Sequence, residues 1–90
     1  MLFRSEDAWP CHGTVTVSAD GLRTVAPYLA EDAVVEEVDA GRHRITLGSW
    51  SWAGLAAVVA GLPVEVTVEG PPPLRDAVLA LADKLRTALG

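Results

Sequence analysis

Several segments of this chain alternate apolar with polar residues, a pattern typical of half-buried β-strands, and another is rich in valine. The alternation is strictest where Val64, Val66 and Val68 are interleaved with acidic residues and a threonine. A short glycine-containing segment at 40–42 separates two of these segments, which indicates a β-hairpin. Four strands are therefore predicted, at residues 12–18, 33–39, 42–48 and 63–70.

Three other segments repeat apolar residues every three or four positions, which is the spacing of one helix face. The first follows Asp20, a residue able to cap a helix, and contains Pro27, so a short or kinked helix is predicted. The second follows Ser49 or Ser51 and ends near Gly61. The third comes after three prolines and is the clearest of the three. Its apolar stripe consists of Leu74, Val78, Leu81, Leu85 and Leu89.

The predicted order β-α-β-β-α-β-α contains two β-α-β crossovers joined by a hairpin. Under the right-handed crossover rule, this order predicts an α+β fold: a ferredoxin-like split βαβ sandwich with an extra C-terminal helix. The strands at 12–18 and 42–48 are expected in the centre of the sheet, and those at 33–39 and 63–70 at its edges. Two helices are expected to cover the aliphatic face, which leaves the third as an appendage whose leucines need a partner.

Composition narrows the range of functions. The 90 residues carry 7 Lys+Arg against 12 Asp+Glu, and this net charge of −5 argues against non-specific binding to duplex nucleic acid or anionic membranes. The length suits one domain, predicted at 12–90 and preceded by an arm or linker at 1–11. The uncharged residues 45–64 are interrupted by glycines, serines and a proline, which favours a strand and a helix over a membrane span. The first residues lack an apolar signal core, so a cytoplasmic location is expected.

If the valines face the helices, the opposite face of the sheet is polar, and Arg42 and Arg44 lie on one of its central strands. The simpler interpretation is a face exposed to solvent or covered by a partner. The alternative is that Arg42 and Arg44, with Arg23 behind them, bind an anion such as a phosphate, a nucleotide or a partner's carboxylate. An RNA-recognition domain would stack bases on aromatic residues of these strands, and threonines and arginines stand there instead.

No catalytic residue, metal or cofactor is predicted. Cys11 and His12 are neighbours on a strand and would point to opposite faces, which is poor geometry for a nucleophile and its base. Together with His43 they do not match a zinc spacing. An acylphosphatase-like hydrolase is disfavoured because the chain has no phosphate-binding turn, no Asn and no Gln. Glu36 and Glu37 would face apart and are interpreted as a solvated acidic strand edge that resists pairing.

Apolar residues outside the predicted core are candidates for protein contacts. Trp52 shares the stripe of the second helix and is expected in the core, whereas Trp50 cannot share that face. Trp50 is therefore predicted to lie at an interface or to cover one end of the sheet. Trp9, next to Pro10, is expected to dock the arm onto this domain or onto a neighbouring one. The candidate interface residues are Trp9, Trp50, Leu81, Leu85 and Leu89.

Three passages together carry a family resemblance. They are the first strand WPCHGTVTVS, the acidic strand that turns into a basic one in VVEEVDAGRHRITLG, and the passage GLPVEVTVEGPPPLRDAVLALADKL into the last helix. From about His12 to its C-terminus the chain resembles the C-terminal extension (WCX) domain of WYL-domain transcriptional regulators. These bacterial proteins carry an N-terminal helix-turn-helix, a central WYL domain and this domain last.

The resemblance implies a sensing or dimerisation domain that has no activity of its own. Its expected partners are the WYL and helix-turn-helix domains of the parent chain and a second copy in a homodimer. A nucleic-acid or nucleotide ligand would be bound through the parent protein, without direct duplex DNA binding by this domain. A different hypothesis is a stand-alone domain of the ACT kind, which binds small ligands in a pocket between two protomers.

Overall fold

The computed structural model describes residues 9–29 and 33–90. Four strands and three helices follow one another in the predicted order, and a short 3₁₀ turn at Ala26–Tyr28 follows the first helix. The elements are β1 (Cys11–Ser18), α1 (Ala19–Val25), β2 (Val34–Asp39), β3 (Arg42–Ser49), α2 (Trp52–Gly61), β4 (Thr67–Gly70) and α3 (Pro72–Ala88).

The four strands form one sheet in the order β2-β3-β1-β4, and every neighbouring pair is antiparallel. The prediction of an α+β domain with β1 and β3 in the centre is confirmed. The uncharged residues 45–64 form most of β3 and the whole of α2. Within residues 9–29 and 33–90, no helix is both long and apolar enough to cross a membrane.

Serine side chains cap the N-termini of two of the helices. The Ser18 hydroxyl accepts a hydrogen bond from the Gly21 N–H at 2.9 Å, which satisfies one of the free donors at the start of α1. The prediction that Asp20 caps this helix was wrong, because the helix begins directly after β1. Ser51 caps α2 in the same way, by accepting from Gly54 N–H. The α-helical part of α1 ends before Pro27, as the sequence predicted.

The hydrophobic core lies between one face of the sheet and the helices, and Ile45, Leu55 and Leu74 are fully buried there. Leu74 comes from α3, so the prediction that the third helix is only an appendage was wrong. The reason lies on β1, where a Cβ on Gly13 would overlap with Leu74 Cδ2. The missing side chain lets the first turn of α3 reach the sheet.

The last strand is shorter than predicted. Residues 63–70 alternate throughout, but only Thr67–Gly70 pairs with β1, and the register shifts between Thr14 and Val15. In the register of Thr16 with Thr67, residues 65–66 would lie opposite the last two residues of β1, but the two segments do not pair there. The expected pairing is replaced by a cleft of about 560 Å³ between them. Val64 and Val66 still pack against the core from one side.

Candidate functional site

The open face of the sheet carries a hydrogen-bonded ion-pair network around Arg44, which lies on the predicted basic strand. Thr16 of β1 and Glu36 of β2 are its cross-strand neighbours. The Arg44 Nε donates to Glu69 Oε1 of β4 at 2.9 Å, and Arg44 Nη1 lies 3.5 Å from Glu36 Oε1. The Thr16 hydroxyl donates to Glu69 Oε2. These four residues, called the Arg44 network below, connect all four strands.

The network favours the charged forms of Glu69 and Arg44. The hydrogen bond from the Thr16 hydroxyl, followed by that from Arg44, lowers the pKa of Glu69. In return, the hydrogen bond to Glu69 raises the pKa of the Arg44 guanidinium. Thr16 is only 7 % exposed, and its hydroxyl is satisfied by the carboxylate. Two carboxylates against one guanidinium give the network a net negative charge.

The lowered pKa of Glu69 predicts a pH-dependent effect of the Glu69→Gln substitution. A carboxyl whose pKa is lower in the folded than in the unfolded chain stabilises the fold at pH values above its ordinary pKa, and this contribution is lost as the pH falls. At pH 7 we expect the variant to have a lower free energy of unfolding than the parent chain. The difference should shrink as the pH falls below the ordinary glutamate pKa of 4.5.

Urea titrations of both chains between pH 7 and pH 3 measure this difference. Glu65→Gln is the matched control, because Glu65 is an exposed carboxylate of the same segment that forms no ion pair within residues 9–29 and 33–90. If the difference in the free energy of unfolding between Glu69→Gln and the parent chain stays constant over this pH range, the ionised Glu69 does not stabilise the fold through the Arg44 network.

The other two arginines proposed to bind an anion are also paired with carboxylates. Arg42 Nη2 lies 2.9 Å from Asp39 Oδ2 across the hairpin, and this hydrogen bond lowers the pKa of Asp39. Arg23 pairs with Asp20 on the exposed side of α1. The structure brings Arg42 and Arg44 onto one strand, but an anion at either would compete with a carboxylate of the domain itself. Anion binding by these residues stays a prediction.

Most of the charged residues that line the 560 Å³ cleft beside β1 are acidic. Asp20, Glu65 and Glu69 line it together with Arg42 and several hydroxyl groups. Sequence reasoning missed the part that Glu69 plays, although the period-two pattern of its strand places it on the same face as Thr67. The predicted sheet placed this strand beside β1, and the missing information was their register, which brings Glu69 within reach of Arg44.

Two of the tryptophans meet at the end of β3. The ring centroids of Trp9 and Trp50 are 5.2 Å apart with an interplanar angle of 61°, an edge-to-face contact. Trp9 also packs on Gly48, where a Cβ would come within 2.7 Å of its ring. The Trp50 residue is nevertheless 68 % exposed, and with Tyr28 it borders an apolar cleft of about 350 Å³. The predicted contact residues Trp9 and Trp50 thus lie together.

The leucine stripe of α3 divides into a buried and an exposed half. Leu74 is fully buried and Leu81 packs partly against the core, whereas Leu85 is 51 % and Leu89 is 90 % exposed. Leu79, which lies off the stripe, is also exposed. The last turns of α3 therefore present aliphatic side chains to solvent.

Groups suited to catalysis do not converge in the described part of the chain. Cys11 is buried and His12 is exposed, so the two neighbours point apart. Among residues 9–29 and 33–90, no group of three or more His, Cys, Asp or Glu side chains is placed to hold a metal ion.

The fold and these surfaces define a small antiparallel α+β domain with an ion-paired open face and an exposed aliphatic helix end. Over residues 9–86 its sequence matches the family model of the WCX domain. The chain belongs to the WCX domain family. No curated protein and no solved structure matches it.

Proposed function

We propose that this chain is the C-terminal regulatory domain of a WYL-type DNA-binding transcriptional regulator and that it acts in the cytoplasm without catalysing a reaction. The match to the WCX domain family over residues 9–86 is the observation that carries the proposal. The ion-paired arginines and the net charge of −5 support a role away from the DNA backbone, because duplex binding depends on arginines and lysines free to meet phosphates.

The domain works through contacts with the other domains of its parent chain or with a second copy. Leu85 and Leu89 support this mode of action, since they continue a core stripe into solvent and lose water contact when covered. Exposed aliphatic side chains in a continuous helical row are typical of protein interfaces. A nucleotide or oligonucleotide held by the parent protein would approach the open face by displacing a carboxylate from Arg44.

The topology is that of a ferredoxin-like split βαβ sandwich with one added helix. The strand order β2-β3-β1-β4 and the antiparallel neighbours support it, because two β-α-β units, each with the strand of the other inserted between its own two strands, produce this order. In this arrangement the open face of the sheet stays free of the domain's own helices, which leaves the Arg44 network accessible to a partner.

Substitution of Leu85 by glutamate tests the contact role in solution. We expect the 90-residue chain to self-associate in sedimentation equilibrium, and Leu85→Glu to weaken the association about tenfold or more, since it places a charge in an apolar contact. Leu79→Glu is the matched control, because Leu79 is 69 % exposed on the same helix but off the stripe. Its association should stay within about twofold of the parent value.

Circular dichroism of each variant separates a lost contact from a lost fold. Folded Leu85→Glu with unchanged association would contradict a contact through the end of α3. Equal weakening by Leu79→Glu would show that the effect comes from added charge and not from the leucine stripe.

A further inference from the structure

The edge strand β2 is uncovered on both of its faces. All six residues of Val34–Asp39 are exposed, and Val34, Val35 and Val38 are 58 %, 41 % and 37 % exposed. Val35 is paired with the buried Ile45 and so lies on the helical side of the sheet, but it remains exposed to solvent there. Valines of a strand that packs only within its own domain are normally covered on one face.

The two edges of the sheet differ in the hydrogen bonds that their backbone groups form. At the β4 edge, Arg75 Nη1 donates to the Val68 carbonyl oxygen at 3.0 Å, and Val78 and Leu79 of α3 border the strand. At the β2 edge, the hydrogen bonds that reach the backbone within residues 9–29 and 33–90 come from β3 alone. Among these described residues, nothing pairs with the N–H and C=O groups on the outer side of β2, and such an edge has the geometry that accepts another strand.

A second copy of β2 is a poor occupant of this edge. In antiparallel self-pairing, every register that overlaps at least five of the six residues places an acid directly opposite an acid. The opposed pairs are Glu36 with Glu37, Glu36 with itself, or Glu37 with itself. Like charges directly opposite each other destabilise a strand pair. The edge thus excludes its own copy more strongly than it excludes a strand of other composition.

The charges of the β2 edge select for a basic partner strand. Glu36 and Asp39 contact Arg44 and Arg42, but Glu37 has no ion pair within residues 9–29 and 33–90. Glu37 lies on the same face as the exposed Val35, so each face of β2 combines a carboxylate with a valine. A strand that alternates lysine or arginine with β-branched residues complements both features.

We propose that the β2 edge binds an extended basic segment of a partner protein, rich in β-branched residues, which adds a fifth strand to the sheet by β-augmentation. Main-chain hydrogen bonds along Val34–Glu37 supply the affinity. The carboxylate of Glu37 and the exposed valines supply the preference for basic and aliphatic side chains. The inference does not depend on the regulatory role proposed above.

A seven-residue blocked peptide of alternating lysine and valine tests this proposal on the 90-residue chain. We expect saturable binding by fluorescence anisotropy, together with slower hydrogen exchange at the amides of β2. A peptide with the same side chains but with every backbone nitrogen methylated should not bind, because it cannot form a strand pair. Equal binding of the two peptides would overturn the proposal in favour of charge attraction alone.

Charge reversal on the protein provides a second test of the proposal. Glu37→Lys should weaken binding of the lysine–valine peptide about fivefold or more. Asp76→Lys is the matched control, because it makes the same charge change at an exposed position of α3. Its affinity for the peptide should stay within about twofold of the parent value. Unchanged peptide binding by Glu37→Lys, with stronger self-association of this variant, would overturn the proposal and identify a second copy as the occupant. Leu85→Glu should leave peptide binding intact, which separates this test from that of the helix contact.

Discussion

Replacement of Leu74 by alanine is expected to lower the free energy of unfolding by about 2–5 kcal/mol, the usual cost of removing a buried leucine side chain. Leu74 is fully buried and anchors the first turn of α3 against β1. Its loss leaves a cavity between the sheet and two helices that close packing cannot fill. Urea unfolding followed by circular dichroism measures the change.

Leu79→Ala is the control for this prediction, since Leu79 belongs to the same helix but is 69 % exposed. This substitution should change the free energy of unfolding by no more than about 0.5 kcal/mol. A loss below about 1 kcal/mol for Leu74→Ala would mean that α3 is an appendage after all, as the sequence alone suggested.

Addition of a single methyl group at Gly13 is expected to destabilise the fold by about 1–3 kcal/mol. The new Cβ would overlap with Leu74 Cδ2 and stand 3.1 Å from Leu55 Cδ2 and 3.2 Å from the Gly70 carbonyl oxygen, so core side chains must move to admit it. Gly61→Ala is the matched control, because a Cβ at Gly61 has no neighbour within 4 Å. That variant should be as stable as the parent chain in the same urea experiment.

The two substitutions should also compensate each other. When Leu74 is shortened to alanine, the methyl group at Gly13→Ala enters space that the leucine has left. The double variant should therefore lose less stability than the two single losses added together, by about 0.5 kcal/mol or more. Strict additivity would show that the close approach of Gly13 and Leu74 does not limit packing at this point.

The local parts of the fold could be predicted from the sequence. Alternation in residues 42–48 placed Ile45 and Leu47 on the buried face, and both are buried. The hairpin followed from a glycine between two strand patterns, and Gly41 has the positive φ of 94° that such a turn requires. These features depend on neighbours a few residues apart, and local spacing encodes them directly.

Features that depend on contacts between distant segments could not be predicted. The alternation at Val64 and Val66 predicted a paired strand, but the pairing of β4 with β1 ends at Thr67 and Thr16, although β1 continues to Ser18. Local spacing does not encode where such a pairing between distant segments ends. The docking of α3 depends on the absence of a side chain at Gly13, about sixty positions before Leu74. A missing side chain leaves no hydrophobic signal that a periodicity analysis could detect.

The candidate site was predicted in part. The sequence placed Arg42 and Arg44 on a polar sheet face, and it did not reveal that each would be held by a carboxylate. The Glu36 partner follows from the hairpin register, whereas Glu69 requires the crossover that brings β4 beside β1. Arg42 and Arg44, which the sequence offered as candidates for binding an anion, are each ion-paired within the fold.

The proposed function requires that this domain is one part of a larger regulator. The most direct measurement is the mass of the native protein in cells of its source, detected with an antibody against the exposed surface of α3. If the proposed function is right, the antibody should detect a chain of about 30 kDa or more, enough for two further domains of ordinary size. A native species of 9.5 kDa, the mass of these 90 residues alone, would contradict it.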